Sequence, residues 1–162
     1  MNNEIELAFF EELHLKEVTA YTLPDEQLAF TALPMAVFER LRQREDAHAR
    51  PVTVLKNGFP VGFLVLDYGK DKLDLTENTE ALLVRSLSLN PDYQGRGYGK
   101  RALELIEDFV RRNYTGVNEL VLAVNLDNTS AFRLYQHVGY KYDGRQCRGI
   151  RGMQYVMTKK IE

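Results

Sequence analysis

The chain has no tryptophan, one cysteine, three histidines and five prolines in 162 residues. A lone Cys147 excludes an intramolecular disulfide and any zinc site built on a cysteine pair, which suits a reducing compartment. The histidines, His14, His48 and His137, have no metal-ligand spacing, so no metal is expected. An excess of one charge sign is also missing: 21 Lys and Arg stand against 23 Asp and Glu, a net charge of −2. That balance argues against a general nucleic-acid binder, which needs a basic face to neutralise phosphates. No stretch approaches the ~20 apolar residues of a membrane span. The opening Met1-Asn2-Asn3-Glu4 has neither a basic leader nor a signal-type apolar run. The expectation is a cytoplasmic protein with one domain over 1–162, without nucleic-acid or membrane partners.

What the chain does contain is punctuated apolar segments. Residues 5–10 predict a first strand, and the segment through Tyr21 is ambiguous. Leu23-Pro24 and Leu33-Pro34 mark two helix starts, the second continuing through Val37, Phe38 and Leu41 into a charged segment, 42–50. Residues 52–55 and 61–66 flank Asn57-Gly58, the signature of a tight hairpin. A polar, acid-rich loop is expected over 67–79, and a strand over 81–89 that Pro91 ends. An amphipathic helix follows from Tyr98, carrying Ala102, Leu103, Ile106, Phe109 and Val110 on one face. Residues 120–124 form an apolar strand, and Asn128 caps a helix with Ala131, Leu134, Tyr135 and Val138 on one stripe. Two short strands, 140–143 and 153–158, close the chain around a Gly- and Arg-rich loop.

The most informative segment is Gln94-Gly95-Arg96-Gly97-Tyr98-Gly99-Lys100. Its alternate glycines let bare N–H groups close on an anion, and Arg96 and Lys100 add charge beside a helix N-terminus. A phosphate-bearing ligand is implied. Such a turn also suits a dinucleotide, although no ribose-binding acid can be placed at the expected distance, and the absence of Gly-Lys-Ser or Gly-Lys-Thr excludes a P-loop.

Together with Leu87-Ser88-Leu89-Asn90-Pro91-Asp92-Tyr93 and Asn128-Thr129-Ser130-Ala131-Phe132-Arg133-Leu134-Tyr135, this turn resembles the GCN5-related N-acetyltransferase (GNAT) family, whose acetyl-CoA loop reads Gln/Arg-x-x-Gly-x-Gly/Ala. The resemblance covers the C-terminal half. It implies an α/β fold: a mixed, mostly antiparallel sheet, splayed beside residues 87–89, with helices on both faces. It also implies that acetyl-CoA is cosubstrate and that an acetyl group passes directly to a primary amine, whether small amine, polyamine, amino sugar or protein. Leu87, Ser88 and Leu89 then offer backbone to pantetheine, and residues 94–100 (Gln94, Gly95, Arg96, Gly97, Tyr98, Gly99 and Lys100) take the pyrophosphate. Asn128 touches the pantetheine arm, and Tyr135 is the acid for the departing thiolate. A thiol near 8.5 and a phenol near 10 are close enough for proton transfer if the site stabilises phenolate. Several relatives carry a glutamate base where this chain has Leu83. Glu80, a water chain or an already neutral amine are the alternatives. The missing base also keeps a noncatalytic acyl-CoA-binding module on the same fold in view, and a homodimer is compatible with the family. Arg145, Arg148 and Arg151 are candidates for an anionic acceptor or the adenosine 3′-phosphate. Asp67, Asp71, Asp74, Glu77 and Glu80 are candidates for a cationic amine; for both sets, solvated surface charge is the simpler reading.

Overall fold

A computed structural model describes residues 4–44 and 48–161. The N-terminal residues 1–3 and residues 45–47 of the expected charged segment lie outside the described residues. Seven strands form one sheet in the order β1-β2-β3-β4-β5-β7-β6, with β1 Ile5–Phe9, β2 Ala49–Lys56, β3 Phe59–Asp67, β4 Ala81–Leu89, β5 Glu119–Asn125, β6 Lys141–Gly149 and β7 Gly152–Lys160. Only the β4–β5 pair is parallel. The helices are α1 Leu15–Ala20, α2 Asp25–Leu28, α3 Pro34–Arg44, α4 Tyr98–Asn113 and α5 Thr129–His137. This is the mixed, mostly antiparallel α/β sheet that the resemblance implied.

Strand alternation divides the core between the two faces. Leu82 and Val84 join the cluster that contains Leu103, Ile106 and Phe109 of α4, while Ala81 and Leu83 join Val121 and Val156 on the other side. Val18 of α1 and Val37 of α3 pack with Phe63 and Val65. Asn57 and Gly58 both take positive φ, 50° and 83°, as the β2–β3 turn requires. The ambiguous segment resolves into a short 3₁₀ turn, Glu12–His14, and α1. His14 is a core residue, with Nδ1 2.9 Å from Thr53 Oγ1.

Two expected loops contain regular structure. Residues 67–79 include a 3₁₀ helix, Lys70–Asp74, and Asp67 is fully buried as the last residue of β3 instead of lying in a solvated loop. Lys72 is buried too and donates from Nζ to the carbonyls of Tyr68 and Thr79. Burial lowers its pKa, against the opposing field of Asp67. The Gly- and Arg-rich segment is also no loop: β6 runs on to Gly149 and β7 starts at Gly152, leaving Ile150 and Arg151 as the tip. A bulge absorbs its irregularity, since Tyr142 pairs with Met157 but Gln146 with Tyr155. Gly144 at φ 101° and the Asp143–Arg145 pair at 2.9 Å fold the extra residues outward.

Candidate active site

The site begins where the sheet parts. β4 and β5 pair only at Ala81, Leu82 and Leu83 against Glu119, Leu120 and Val121, although both strands continue. Residues 84–89 therefore turn an unpaired edge toward residues 122–125, and the opening starts earlier than the 87–89 position expected. A bulge in β4 widens it, because Val65 pairs with Arg85 and Phe63 with Ser88, so three steps on β4 oppose two on β3. Within the bulge, Ser86 holds φ 63°, a left-handed conformation that costs a non-glycine residue on the order of 1 kcal/mol. Gly62 lets the bulge sit close: a Cβ there would run into the Leu89 side chain and lie 2.7 Å from the Ser88 carbonyl oxygen.

A cavity of about 1160 Å³ fills the gap. Of the residues expected at the site, Leu87, Ser88, Leu89, Gln94, Gly99, Asn128 and Tyr135 line it together; Gly95, Arg96, Gly97, Tyr98 and Lys100 do not. Gly95, Arg96, Gly97 and Lys100 are exposed in the turn that leads into α4. Gly95 and Gly97 have φ 78° and 84°, with nothing near where a Cβ would be, so backbone conformation is what demands glycine in this turn. Arg101 N–H closes the first bond of α4 onto Gly97 O, leaving the preceding N–H groups of the helix outside its ladder. Tyr98 is half-buried and packs against the core.

Gln94 is a crosslink. Its Nε2 donates to Leu89 O at 2.9 Å and to Gln27 Oε1 at 3.0 Å, while Gln27 Nε2 donates back to Gln94 Oε1 at 2.8 Å. One amide thus ties the turn, the end of β4 and α2. Ser88 is held from beneath by the buried Tyr21, 2.8 Å between hydroxyl oxygens. Burial pushes that phenol up to about 12, against the lowering effect of Ser88. Asn128 caps α5 as expected, its Oδ1 accepting from Ala131 N at 3.3 Å.

Tyr135 is half-buried on α5, its ring 5.8 Å from that of Tyr140. Desolvation pushes its phenol up to about 12, away from the thiol range and further than its ordinary value suggested. It is protonated throughout the neutral range. Leu83 lines the cavity, and Glu80 does not; Glu80 is exposed, with Oε1 accepting from Asn118 Nδ2 at 3.4 Å.

Another wall of the cavity comes from α2, α3, the 3₁₀ helix and the β6–β7 hairpin. Arg85 Nη1 lies 3.2 Å from Asp71 Oδ2 and 3.6 Å from the buried Asp67 Oδ2. Asp71, Asp74, Arg148 and Arg151 line the cavity, whereas Asp67, Glu77 and Arg145 do not. Arg145 instead donates to Leu75 O at 2.8 Å, pinning the hairpin to the 3₁₀ segment. Cys147 lines this wall, its pKa raised by burial and then by Asp74, which makes it a poor nucleophile. Tyr21, Gln27, Arg40 and Arg85 went unseen in the sequence because they belong to its N-terminal half or to a strand that reads as core. Only Gly62, a lone glycine inside an apolar strand, signalled a close backbone approach. Among the described residues, no group of three His, Cys, Asp or Glu side chains could hold a metal, and no helix is long and apolar enough to cross a membrane.

Comparison with known proteins gives this geometry its context. The family described as Acetyltransferase (GNAT) matches residues 8–140. The chain is 36% identical over 158 residues to the uncharacterized N-acetyltransferase YbbJ of Bacillus subtilis, covering 97% of this chain and 98% of that one. It is 34% identical to the N-alpha-acetyltransferase RimI of Mycobacterium tuberculosis over 118 residues, 73% of this chain and 67% of the other. Among solved structures, AAC(6')-Ib in complex with ribostamycin and coenzyme A superposes with a TM-score of 0.78 at 15% identity, covering 98% of this chain and 94% of that one. The spermidine N-acetyltransferase of Vibrio cholerae in complex with CoA and spermine gives 0.71 at 14%, covering 98% and 96%. On the family match and the near full-length likeness to an N-acetyltransferase, the chain belongs to the GNAT family and is an acyltransferase.

Proposed function

We propose that the chain, as one domain over 1–162, transfers an acetyl group from acetyl-CoA directly to a primary amine in the cytoplasm. The supporting observation is that the open edge of β4, Gln94, Gly99, Asn128 and Tyr135 share one cavity. The residues fit the donor. The edge of 87–89 away from β3, apart from Leu89 O that Gln94 already bonds, offers pantetheine amides the bonds β5 would have made, and an N–H near Leu89 faces the thioester carbonyl. The exposed turn with Gly95, Arg96, Gly97 and Lys100 suits a pyrophosphate at the solvent edge, beside the free N–H groups that open α4. Tyr98 starts that helix, and Asn128 stands beside the arm.

When bound, acetyl-CoA supplies an acyl carbon activated as a thioester. In the transfer a C–N bond forms, a C–S bond breaks, and the proton lost by the amine balances the charge left on sulfur. Full transfer from a phenol at about 12 to a thiolate near 8.5 would be uphill by roughly 5 kcal/mol. Tyr135 therefore acts as a hydrogen-bond donor that stabilises the developing charge. With Leu83 at the usual base position, an ammonium acceptor near 10.4 gives up its proton to water.

Thiol release from acetyl-CoA is to be followed with a panel of amines, with product mass checked for one added acetyl group. The expected result is amine-dependent release. Tight CoA binding without release for any amine would instead favour an acyl-CoA-binding module.

A further inference from the structure

The cavity that holds Tyr135 also carries a guanidinium that no side chain or carbonyl engages among the described residues. Arg40, on α3, lines both the main cavity and a side cavity of about 10 Å³ whose walls include Val37, Leu41, Val65, Asp67, Arg85 and Ser86. It is half-buried, and among the described residues it has no hydrogen-bond or ion-pair partner. Its neighbour Arg85 is differently placed, since Asp67 and Asp71 both engage it. None of its nitrogens is both buried and unpartnered, so its N–H donors are open to whatever enters the cavity.

The remaining charges narrow the ligand. With the Arg85–Asp67–Asp71 group set aside, the cavity wall carries Glu26, Asp74 and Asp127 against Arg40, Arg148 and Arg151, three acids and three bases. An equal count is a poor sink for a polycation and a good match for an acceptor bearing both signs. Arg40 and Arg85 share the side cavity, and Arg85 stands on β4, the strand whose residues 87–89 also line the main cavity.

We propose that Arg40 determines acceptor specificity by binding a carboxylate, so that the acceptor is an amino-carboxylate whose ammonium enters among the acids and whose carboxylate pairs with Arg40. This rests on the acetyl-transfer reading above. The guanidinium offers two parallel N–H donors that fit a carboxylate's oxygens and have no equivalent fit to a carboxamide.

The test titrates glycine, β-alanine, γ-aminobutyrate and ε-aminocaproate, each against its carboxamide, into the full chain with and without CoA, followed by NMR. Thiol release from acetyl-CoA is measured in parallel. At least one carboxylate should bind about tenfold tighter than its carboxamide, the effect of a charge-assisted pair. That ratio should fall to about one in Arg40→Gln and recover partly in Arg40→Lys. No preference anywhere in the series, or a preference unchanged in Arg40→Gln, overturns the inference. A lowered melting temperature in Arg40→Gln with the preference intact also overturns it, and assigns Arg40 to Asp67 through water in the side cavity. A preference lost in Arg40→Gln without thiol release sustains the inference and removes the acetyl-transfer reading instead.

Discussion

Tyr135 shows how one side chain's surroundings set what it can contribute. Its phenol is half-buried on a cavity wall and is pushed up to about 12 by desolvation. It therefore stays protonated from pH 6 to 10 and cannot itself produce a basic limb in a rate profile. Tyr135→Phe should lower kcat by about 10²-fold, the low end of general-acid effects, with little change in the KM for acetyl-CoA. Because the phenol does not titrate in that window, the shape of kcat against pH should be the same in wild type and variant. Equal kcat in wild type and variant would remove Tyr135 from the chemistry, whereas a basic limb that disappears with the hydroxyl would show that the phenol titrates below about 12. The residue was legible from the helical stripe and the Asn128 cap that sets its phase. Tyr21 was not, because its partner Ser88 is 67 residues away and only the fold brings the two hydroxyls within 2.8 Å.

At the scale of the element, β4 carries the site and β3 carries β4. Its apolar run made the strand readable, but the bulge between Arg85 and Ser88 left no sign in side-chain type, since Ser86 is an ordinary residue held at an unusual φ. The glycine that permits this lies on the neighbouring strand. A methyl at Gly62 would meet the Leu89 side chain and sit 2.7 Å from Ser88 O, and a strand carbonyl cannot swing aside as a flexible side chain can. Gly62→Ala should cost about 1–3 kcal/mol of stability, as overpacking does, and weaken acetyl-CoA binding at least about tenfold by displacing residues 87–89. Melting and calorimetric titration would measure the two effects, and unchanged affinity would show that the bulge does not shape the donor site. The edge strand β6 was illegible for the opposite reason. It is solvent-facing and polar, with Gly144 and Arg145 folded into a bulge, so it lacks the apolar alternation that marks a strand.

Across the whole molecule, the charge balance and the order of elements were readable from the chain, whereas the cavity wall proposed for the acceptor was not, because it joins α2, α3 and the β6–β7 hairpin from both ends of the sequence. The fold also buries several phenols, and these make its stability depend on pH at the alkaline end. Tyr21 and Tyr135 are each pushed up to about 12 from 10.0 by desolvation, and Tyr140 is raised as well, by burial and then by the fields of Tyr135 and Glu107. A raised phenol means that the unfolded chain loses its proton first. The associated stability is therefore complete below pH 10 and is lost as the pH climbs toward 12, by up to about 3 kcal/mol for each of the first two. Tyr140 differs in having a buried hydroxyl with no hydrogen-bond partner, on a residue 2% exposed. That orphan group costs stability at every pH, so Tyr140→Phe should raise stability at pH 7 by about 1 kcal/mol. It should also make the loss above pH 10 shallower, because one fewer phenol ionises on unfolding. Denaturant melts at pH 7 and at intervals above pH 10 would test both effects. Destabilisation by Tyr140→Phe at pH 7 would mean that the hydroxyl is satisfied in the folded protein, by a bound water, and does not carry the cost of an orphan group.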